Sequence, residues 1–380
     1  KVPWFYNYSA SGQISAPERT VIGIAVALLA LVGVTVRNGL AARGVDFSFA
    51  FLQAPAGFEI SEGVTLTAEG FGAFTSAMTN TQALVAGLSN TIKVALMAIM
   101  LSTLIGVMLG VSRLSTNWLI RNLAFGATEF LRNTPLLIQL TFWYVAVVLK
   151  LPGVREAPQF WGAVISQQGI WLPKPMLADG PGPWIALLAL VLGLAALLPV
   201  FRARRVLIGS MAVALFVAAV LVGFRVHFEY PEVGRFRADG GLAVSPEFAA
   251  LLIAITVNSA AYIGEIVRGA IEALPRGQWE AADAIGLSRR HVLGDVVLPQ
   301  VFRVVMPSFG NQYISLTKNT SLGIAIGFPD LFNVYGTISN QTGRSLESVT
   351  LAMAVYLALS WIVSLAVNLV NRRLRIPGVR

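Results

Sequence analysis

The stretch EAADAIGLSRRHVLGDVVLP, Glu280 to Pro299, is the most informative part of this sequence. It is polar and charged, and it lies between strongly hydrophobic parts of the chain. Its first residues favour a helix. Gly286 suits a sharp turn because it has no Cβ atom, and Ser288 suits the cap of a second helix. Pro299 is expected where the chain turns back toward the next hydrophobic span.

This segment has the composition of a contact surface for another protein. The paired alanines leave one side small, so that a partner can approach closely, and Glu280 is available as a hydrogen-bond acceptor. The alternative is an amphipathic helix that rests on lipid headgroups. The candidate contact residues are Glu280, Ala281, Ala282, Gly286, Leu287, Arg290, Leu298 and Pro299.

Composition places the chain in a membrane. It is 56% hydrophobic and 12% charged, with a mean hydropathy of +0.70, whereas a soluble domain has about 25% charged residues. The net charge of +9 comes from basic residues that flank apolar spans, which argues against nucleic-acid binding. With no cysteine and two histidines, disulfide frameworks, thiol catalysis and ordinary zinc sites are excluded. The first apolar stretch has no signal-peptide cleavage pattern.

Apolar runs long enough to cross about 30 Å of hydrocarbon predict an all-α polytopic membrane protein with about eight transmembrane helices. The seventh run is the most polar and is expected to face protein or water rather than lipid. The predicted spans lie near residues 20–36, 84–111, 123–149, 184–200, 206–224, 248–269, 306–331 and 349–371.

The distribution of lysine and arginine predicts that both termini are cytoplasmic. In that orientation the cytoplasmic segments hold 15 basic residues in 79 positions, and the opposite loops hold 9 in 120. The excess follows the positive-inside rule. It places the Glu280–Pro299 segment in the cytoplasm.

The chain divides into five predicted segments. The first contains an extra helix and an outer loop, the third contains an inserted helical hairpin at 184–224, and the fourth contains the polar segment at 278–299. The second and fourth form a two-part core, and the last is a cytoplasmic tail. The boundaries are 1–83, 84–149, 150–247, 248–371 and 372–380.

Four stretches resemble one family. The segment from Glu280 fits E-A-A, three residues, G, nine residues, I/V, one residue, L-P, and resembles the coupling loop of permease subunits in bacterial ABC importers. The other three resemble the polar amino-acid importers among them, although Asn133 stands where their signature has glycine. These are RNTPLLIQL at 132–140, AYIGEIVRGAIEALPRGQWEAA at 261–282 and NQYISLTKNTSLGIAI at 311–326. Together they cover about 82–149 and 248–371, and the extra segments are similar to those of general L-amino-acid permeases.

The resemblance implies a type I ABC importer permease fold in the bacterial inner membrane. It also implies a heterodimer with a related permease subunit, two ATPase subunits and a periplasmic amino-acid-binding protein. No lysine of this chain follows a glycine, so it lacks the G-K-[ST] of a phosphate-binding loop. ATP and magnesium are therefore expected on the partner ATPase, with no cofactor in this chain.

Polar residues inside the spans are candidates for the substrate path, because intramembrane charge is costly unless it is paired or hydrated. Glu265 and Arg268 are interpreted first as an internal ion pair and alternatively as path residues. Lys318 and its neighbours offer a cation, an amide and two hydroxyls to a substrate carboxylate. The path candidates are Lys318, Asn319, Thr320, Ser321, Glu265, Arg268, Asn258 and Gln139, and a structural role is assigned to Arg132, Thr134 and Pro135.

Three other functions compete with the importer hypothesis. A membrane enzyme lacks support, because neither H-E-x-x-H nor G-x-S-x-G is present. An ion-coupled secondary transporter would use intramembrane carboxylates such as Glu129 and Glu265, but often shows internal repeats, and none is evident. A scaffolding subunit would not need the polar seventh span.

Overall fold

The computed structural model describes residues 16–42, 47–177, 180–197, 205–288 and 291–374. The chain is mainly helical, and 3₁₀-helices (Ala50–Gln53, Val148–Lys150, Thr320–Ile326) and π-helices (Phe142–Val147, Val292–Val297) extend or connect its α-helices. The α-helices are α1 (Ala16–Ala42), α2 (Asn80–Ser112), α3 (Trp118–Asn133), α4 (Leu136–Thr141), α5 (Gly182–Leu197), α6 (Arg205–Leu221), α7 (Pro246–Glu272), α8 (Arg276–Ala284), α9 (Leu298–Asn319), α10 (Leu331–Thr342) and α11 (Ser345–Leu374).

Three helices in these ranges are long and apolar enough to cross a bilayer: α2, α7 and Ser345–Asn371 of α11. Shorter apolar helical stretches cover Leu136–Lys150, Gly182–Gly193 and Val206–Leu221. Eight spans and cytoplasmic termini therefore stay predictions. The five-segment division stays a prediction too, and its tail at 372–380 lies largely outside the described residues.

The outer segments contain short antiparallel strands, so the prediction of loops in an all-α chain is wrong there. Their residues alternate between the two faces of small sheets, as in Ala163–Ser166, where every second residue is buried. The pairings are β1 (Val64–Thr67) with β2 (Gly70–Ala73), then the order β10-β5-β4-β3 for β3 (Gln159–Phe160), β4 (Ala163–Ser166), β5 (Gly169–Leu172) and β10 (Leu242–Val244), then β6 (Lys174–Leu177) with β7 (Val226–Glu229), and β8 (Glu232–Val233) with β9 (Ala238–Asp239).

Helix α10 lies where the sequence predicted an outer loop at 332–348. Asp330 caps its N-terminus by accepting a hydrogen bond from the Asn333 amide at 2.9 Å. Gly343 ends the helix with φ at +69°, a conformation that glycine adopts without strain. The Asp330 side chain is buried and also accepts a hydrogen bond from the Tyr356 hydroxyl. Both capping residues were visible in the sequence.

The predicted third span, 123–149, is two helices rather than one. Pro135 disfavours helical geometry at Thr134, whose ψ of 127° ends α3. Helix α4 then begins at Leu136 and continues through the π- and 3₁₀-turns to Lys150. The break leaves backbone carbonyls of α3 without helical partners.

Helices α2 and α7 form the centre of the core and touch through glycines. A Cβ atom on Gly110 would lie 2.6 Å from the Gly264 carbonyl oxygen, and one on Gly106 would lie 2.6 Å from Ile263 Cβ. Only glycine permits this approach of two backbones. The two helices therefore form one closely packed unit.

We expect opposite effects from two glycine-to-alanine changes. Gly110→Ala should destabilise the fold by about 1–3 kcal/mol through overpacking. A Cβ atom on Gly269 of α7 would have no neighbouring atom within 4 Å. Gly269→Ala should therefore leave the free energy of unfolding unchanged or raise it by up to about 1 kcal/mol, because alanine favours helix. Thermal unfolding of both variants in detergent measures the difference, and equal shifts would contradict the close packing.

Candidate functional site

The segment predicted to contact a partner begins as a short helix with a glycine turn. Helix α8 ends in a Schellman motif, in which the Leu287 amide donates to the Ala282 carbonyl at 3.1 Å. Gly286 occupies the left-handed position of this motif, with φ at +70°. The predicted turn at Gly286 is therefore present, and its cause is the local backbone conformation.

One side of this turn is exposed and carries a large apolar residue. Glu280, Ala281 and Gly286 are exposed, and Ile285 is 74% exposed beside them. Ala282 is only 3% exposed and packs inward, so the alanine pair does not form one small outer surface as predicted. Arg290 lies outside the described residues. We call Glu280, Ala281, Ile285 and Gly286 the coupling surface.

The second half of the segment differs from the prediction. The Ser288 hydroxyl is 2.7 Å from His291 Nδ1, and its predicted role as a helix cap involves residues 289 and 290, which lie outside the described residues. The chain does not turn at Pro299, because the π-helix runs directly into α9, where Pro299 is the second residue. Proline has no N–H group, so it cannot donate a hydrogen bond to the carbonyl four residues before it. The wider π-turn before Pro299 accommodates the missing hydrogen bond. Leu298 is exposed and Pro299 is half-buried.

The coupling surface is fixed to the membrane helices by a shared apolar core. Gln300 Nε2 adds a polar link from α9 to Gln278 Oε1 on α8 at 3.2 Å. Leu287 is partly buried against the same core. A displacement of α8 would therefore be transmitted to both α7 and α9. The buried members of this core are Ile263, Val267, Ala270, Ala282, Val292, Val297, Val301, Val305 and Phe309.

Glu265 is the centre of an ion network that joins three helices. It pairs with Arg268 on its own helix, as predicted, and also with Arg113 at the end of α2. The third pair, with Arg132 on α3, spans 3.8 Å. Around this centre, Glu129 lies 3.5 Å from Arg132 and 3.9 Å from Arg113, and Arg268 also pairs with Glu272. The charges of the three acidic and three basic residues balance.

Two path candidates, Gln139 and Asn258, instead hydrogen-bond to the break between α3 and α4. Gln139 Nε2 donates to the Leu131 and Thr134 carbonyls at 2.7 and 2.9 Å. Asn258 Nδ2 donates to the Leu131 carbonyl at 3.3 Å. Both side chains are buried. Their amides donate hydrogen bonds to carbonyls at the break before Pro135. Their role is therefore structural.

The end of α9 presents a lysine to a cavity. Lys318 is exposed and lies at an open, mainly apolar cavity of about 450 Å³ between α9, α10 and α11, whose lining includes Met353, Leu357, Tyr335 and Tyr356. Among the described residues no ion-pair partner of Lys318 is found. Asn319 beside it is half-buried.

The two hydroxyls of this cluster are not free donors as the sequence suggested. Thr320 Oγ1 donates to the Thr317 carbonyl at 2.9 Å, and Ser321 Oγ donates to the Lys318 carbonyl at 2.8 Å. Hydroxyls in helices often bond in this way to the preceding turn. Lys318 and Asn319 therefore remain as the donors. No group of His, Asp and Glu within the described ranges could hold a metal ion.

Comparison with known proteins identifies the family. A family model described as "Binding-protein-dependent transport system inner membrane component" matches residues 206–376. The General L-amino acid transport system permease protein AapQ of Rhizobium johnstonii is 39% identical over 351 residues, which cover 88% of this chain and 85% of AapQ. The chain belongs to the polar and general amino-acid ABC permease family. The permease BztB of Rhodobacter capsulatus, named for glutamate, glutamine, aspartate and asparagine transport, is 33% identical and covers 93% of each chain.

A shorter relative shows how much of this amino-acid permease is additional. The Glutamine transport system permease protein GlnP of Escherichia coli (strain K12) is 35% identical over 216 residues. That alignment covers 96% of GlnP but 54% of this chain. Nearly half of this permease therefore lies outside the part that aligns with GlnP.

Sequence reasoning missed four residues of the site. Arg113 and Glu272 complete the ion network, but Arg113 is 152 positions from Glu265, and no local pattern links them. Gln300 was not singled out for the same reason. Ile285 could have been predicted from the sequence, because it is a bulky apolar residue next to a turn glycine in a polar segment.

Proposed function

We propose that this permease is a subunit of an ATP-driven amino-acid importer and is driven by a separate ATPase through the coupling surface. The observation that carries the proposal is an exposed isoleucine and glycine turn on a helix that shares a buried core with α7 and α9. Ile285 can act as an apolar anchor in a pocket of the partner, with the small Ala281 and Gly286 beside it.

Ile285→Asp tests the coupling surface. The change places a charge where a partner would bury an apolar side chain, so we expect the amount of ATPase that co-purifies in mild detergent to fall at least about tenfold. Ile285→Leu is the matched control and should retain the ATPase. Ile285 is a sharper position than Gly286, where any larger residue also strains the turn. Equal ATPase recovery from both variants would contradict the proposal.

The proposed substrate class rests on the relatives' names and on the lysine that lines the cavity. AapQ and BztB are named for amino-acid transport, and the Lys318 ammonium can bind a substrate carboxylate. The cavity of about 450 Å³ lies in the usual range for small-molecule sites, about 300–1,000 Å³. Lys318 and Asn319 are the path residues that this geometry supports best. Glu265 and Arg268 are better explained as a structural network.

The complete transporter is proposed to contain two ATPase subunits, a second permease subunit and a periplasmic amino-acid-binding protein in a bacterial inner membrane. ATP and magnesium bind the ATPase and close its dimer. The coupling surfaces then move together, and the core that α8 shares with α7 and α9 transmits this motion as outward opening. Hydrolysis resets the permease, so that access alternates between the two sides.

An ion-coupled secondary transporter is less well supported. Such a transporter needs intramembrane carboxylates that can bind and release a cation. Glu129 and Glu265 are both engaged by arginines. Their oxygens already have cationic partners, so a coupling ion would have to compete with those arginines for them.

A further inference from the structure

The β1–β2 hairpin in the first outer segment turns polar side chains toward the protein and apolar side chains away from it, the reverse of the usual arrangement. Its small and polar residues, such as Thr65 and Thr67, face the protein, and Thr65 is fully buried. Its apolar residues point away: Val64 is 48%, Leu66 52% and Phe71 80% exposed. Leu66 and Phe71 are directly paired across the two strands, so they form one continuous apolar face.

The reversed orientation is fixed by contacts with α2. Thr65 Oγ1 donates to the Gln82 carbonyl at 2.7 Å, and Gln82 Nε2 donates to the Leu66 carbonyl at 2.8 Å. A Cβ atom on Gly63 would come within 3.0 Å of Ala86 Cβ, so the hairpin lies directly on the helix. Turning the apolar face inward would shift the pairing by one residue and break these bonds.

The length of α2 and a charge pair place this face beyond the hydrocarbon, which shortens the span predicted at 84–111. Helix α2 has 33 residues, about 50 Å at 1.5 Å per residue, whereas the hydrocarbon core is about 30 Å thick and takes about 20 residues. Counted back from Ser112, those residues end near Lys93, whose ammonium lies 3.5 Å from Glu62. The hairpin packs on the turns of α2 from Gln82 to Ser89, on the N-terminal side of this charge pair.

The direction of the face indicates the kind of partner. The hairpin packs on the side of a helix that crosses the membrane, so its outer face points sideways rather than away from the membrane. The Val64 amide donates to Ser89 Oγ, and Leu96 and Met100, seven and eleven residues further on, lie on the same side of α2. Both are exposed. A soluble protein approaches from above, whereas a neighbour in the membrane meets the hairpin and this stripe together.

We infer that the apolar face of the β1–β2 hairpin docks against the second permease subunit of the transporter. The inference rests on the proposed function, which supplies that subunit. The two permeases then meet outside the membrane through Val64, Leu66 and Phe71 and within it along the Leu96–Met100 side of α2. Lys93 and Glu62, paired with each other, lie where the two parts join.

Single cysteines test the docking, because the chain has none of its own. The Phe71→Cys variant is labelled with a membrane-impermeant maleimide in membranes that hold either the complete transporter or this chain alone. We expect labelling to fall at least about tenfold in the complete transporter, since interface cores exclude water. Glu59→Cys, at an exposed position of the same segment, should label equally in both.

A photoactivatable crosslinker on the thiol of the Phe71→Cys variant then identifies the neighbour. Capture of the related permease subunit supports the inference, and capture of a second copy of this chain overturns it. Equal labelling in both membranes, or capture of the binding protein or of lipid, overturns it. Recovery of the ATPase from the same membranes reports on the proposed function separately: retained ATPase with a fully labelled thiol at position 71 rejects only the docking.

Discussion

Glu265→Gln is expected to lower the free energy of unfolding by about 3 kcal/mol, the lower end of the range for removing one partner of a buried ion pair. The glutamine has nearly the same shape but leaves three arginines, Arg113, Arg132 and Arg268, without their shared carboxylate. The lower end applies because the Glu265 side chain is 27% exposed. Titration with SDS, followed by tryptophan fluorescence, measures the loss.

Glu272→Gln is the matched control for this prediction. Glu272 pairs with Arg268, and its side chain is 50% exposed. Exposed pairs contribute about 1 kcal/mol or less, so the control should unfold close to the native chain. Similar losses in the two variants would mean that Glu265 does not hold the three helices together.

Lys318→Met is expected to reduce uptake of labelled L-amino acids by about thirtyfold or more, the effect of losing about 2 kcal/mol of charge-assisted hydrogen bonding. Methionine fills similar space but offers no donor to a carboxylate. The amount of co-purified ATPase should not change, because Lys318 is exposed and is not part of the core that holds α8. Uptake and ATPase recovery are measured on the same membranes.

Lys318→Arg separates charge from shape at this position. It restores a cation in a larger side chain and should recover part of the uptake. Unchanged uptake in Lys318→Met would show that the cavity is not on the substrate path. A loss of both uptake and ATPase would assign Lys318 to assembly instead.

The parts of this fold that depend on neighbouring residues were predictable from sequence. The turn at Gly286 follows from a short helix ending at glycine, and the Glu265–Arg268 pair follows from their three-residue spacing. Helix α10 could have been found by the same reasoning, since Asp330 and Gly343 carry its caps.

The parts that depend on distant residues were not predictable in this way. Arg113 meets Glu265 only because α2 and α7 pack through glycines. Gln139 and Asn258 were predicted to line the path because buried polar groups in a membrane are costly unless they have partners. Their partners are instead backbone carbonyls at the break before Pro135. The short strands escaped notice because each has two to four residues among glycines and prolines.

The glycine contact between α2 and α7 limits how this subunit can change shape. Helices whose backbones touch at 106, 110 and 264 cannot slide past each other without a clash, so they rotate as one rigid body. Bending is then left to places where the helical hydrogen-bond ladder is already interrupted. Two such hinges flank the unit: the break at Thr134–Pro135 and the π-turn before Pro299. In the proposed mechanism, displacement of the coupling surface would therefore tilt a stiff pair of helices about these two points.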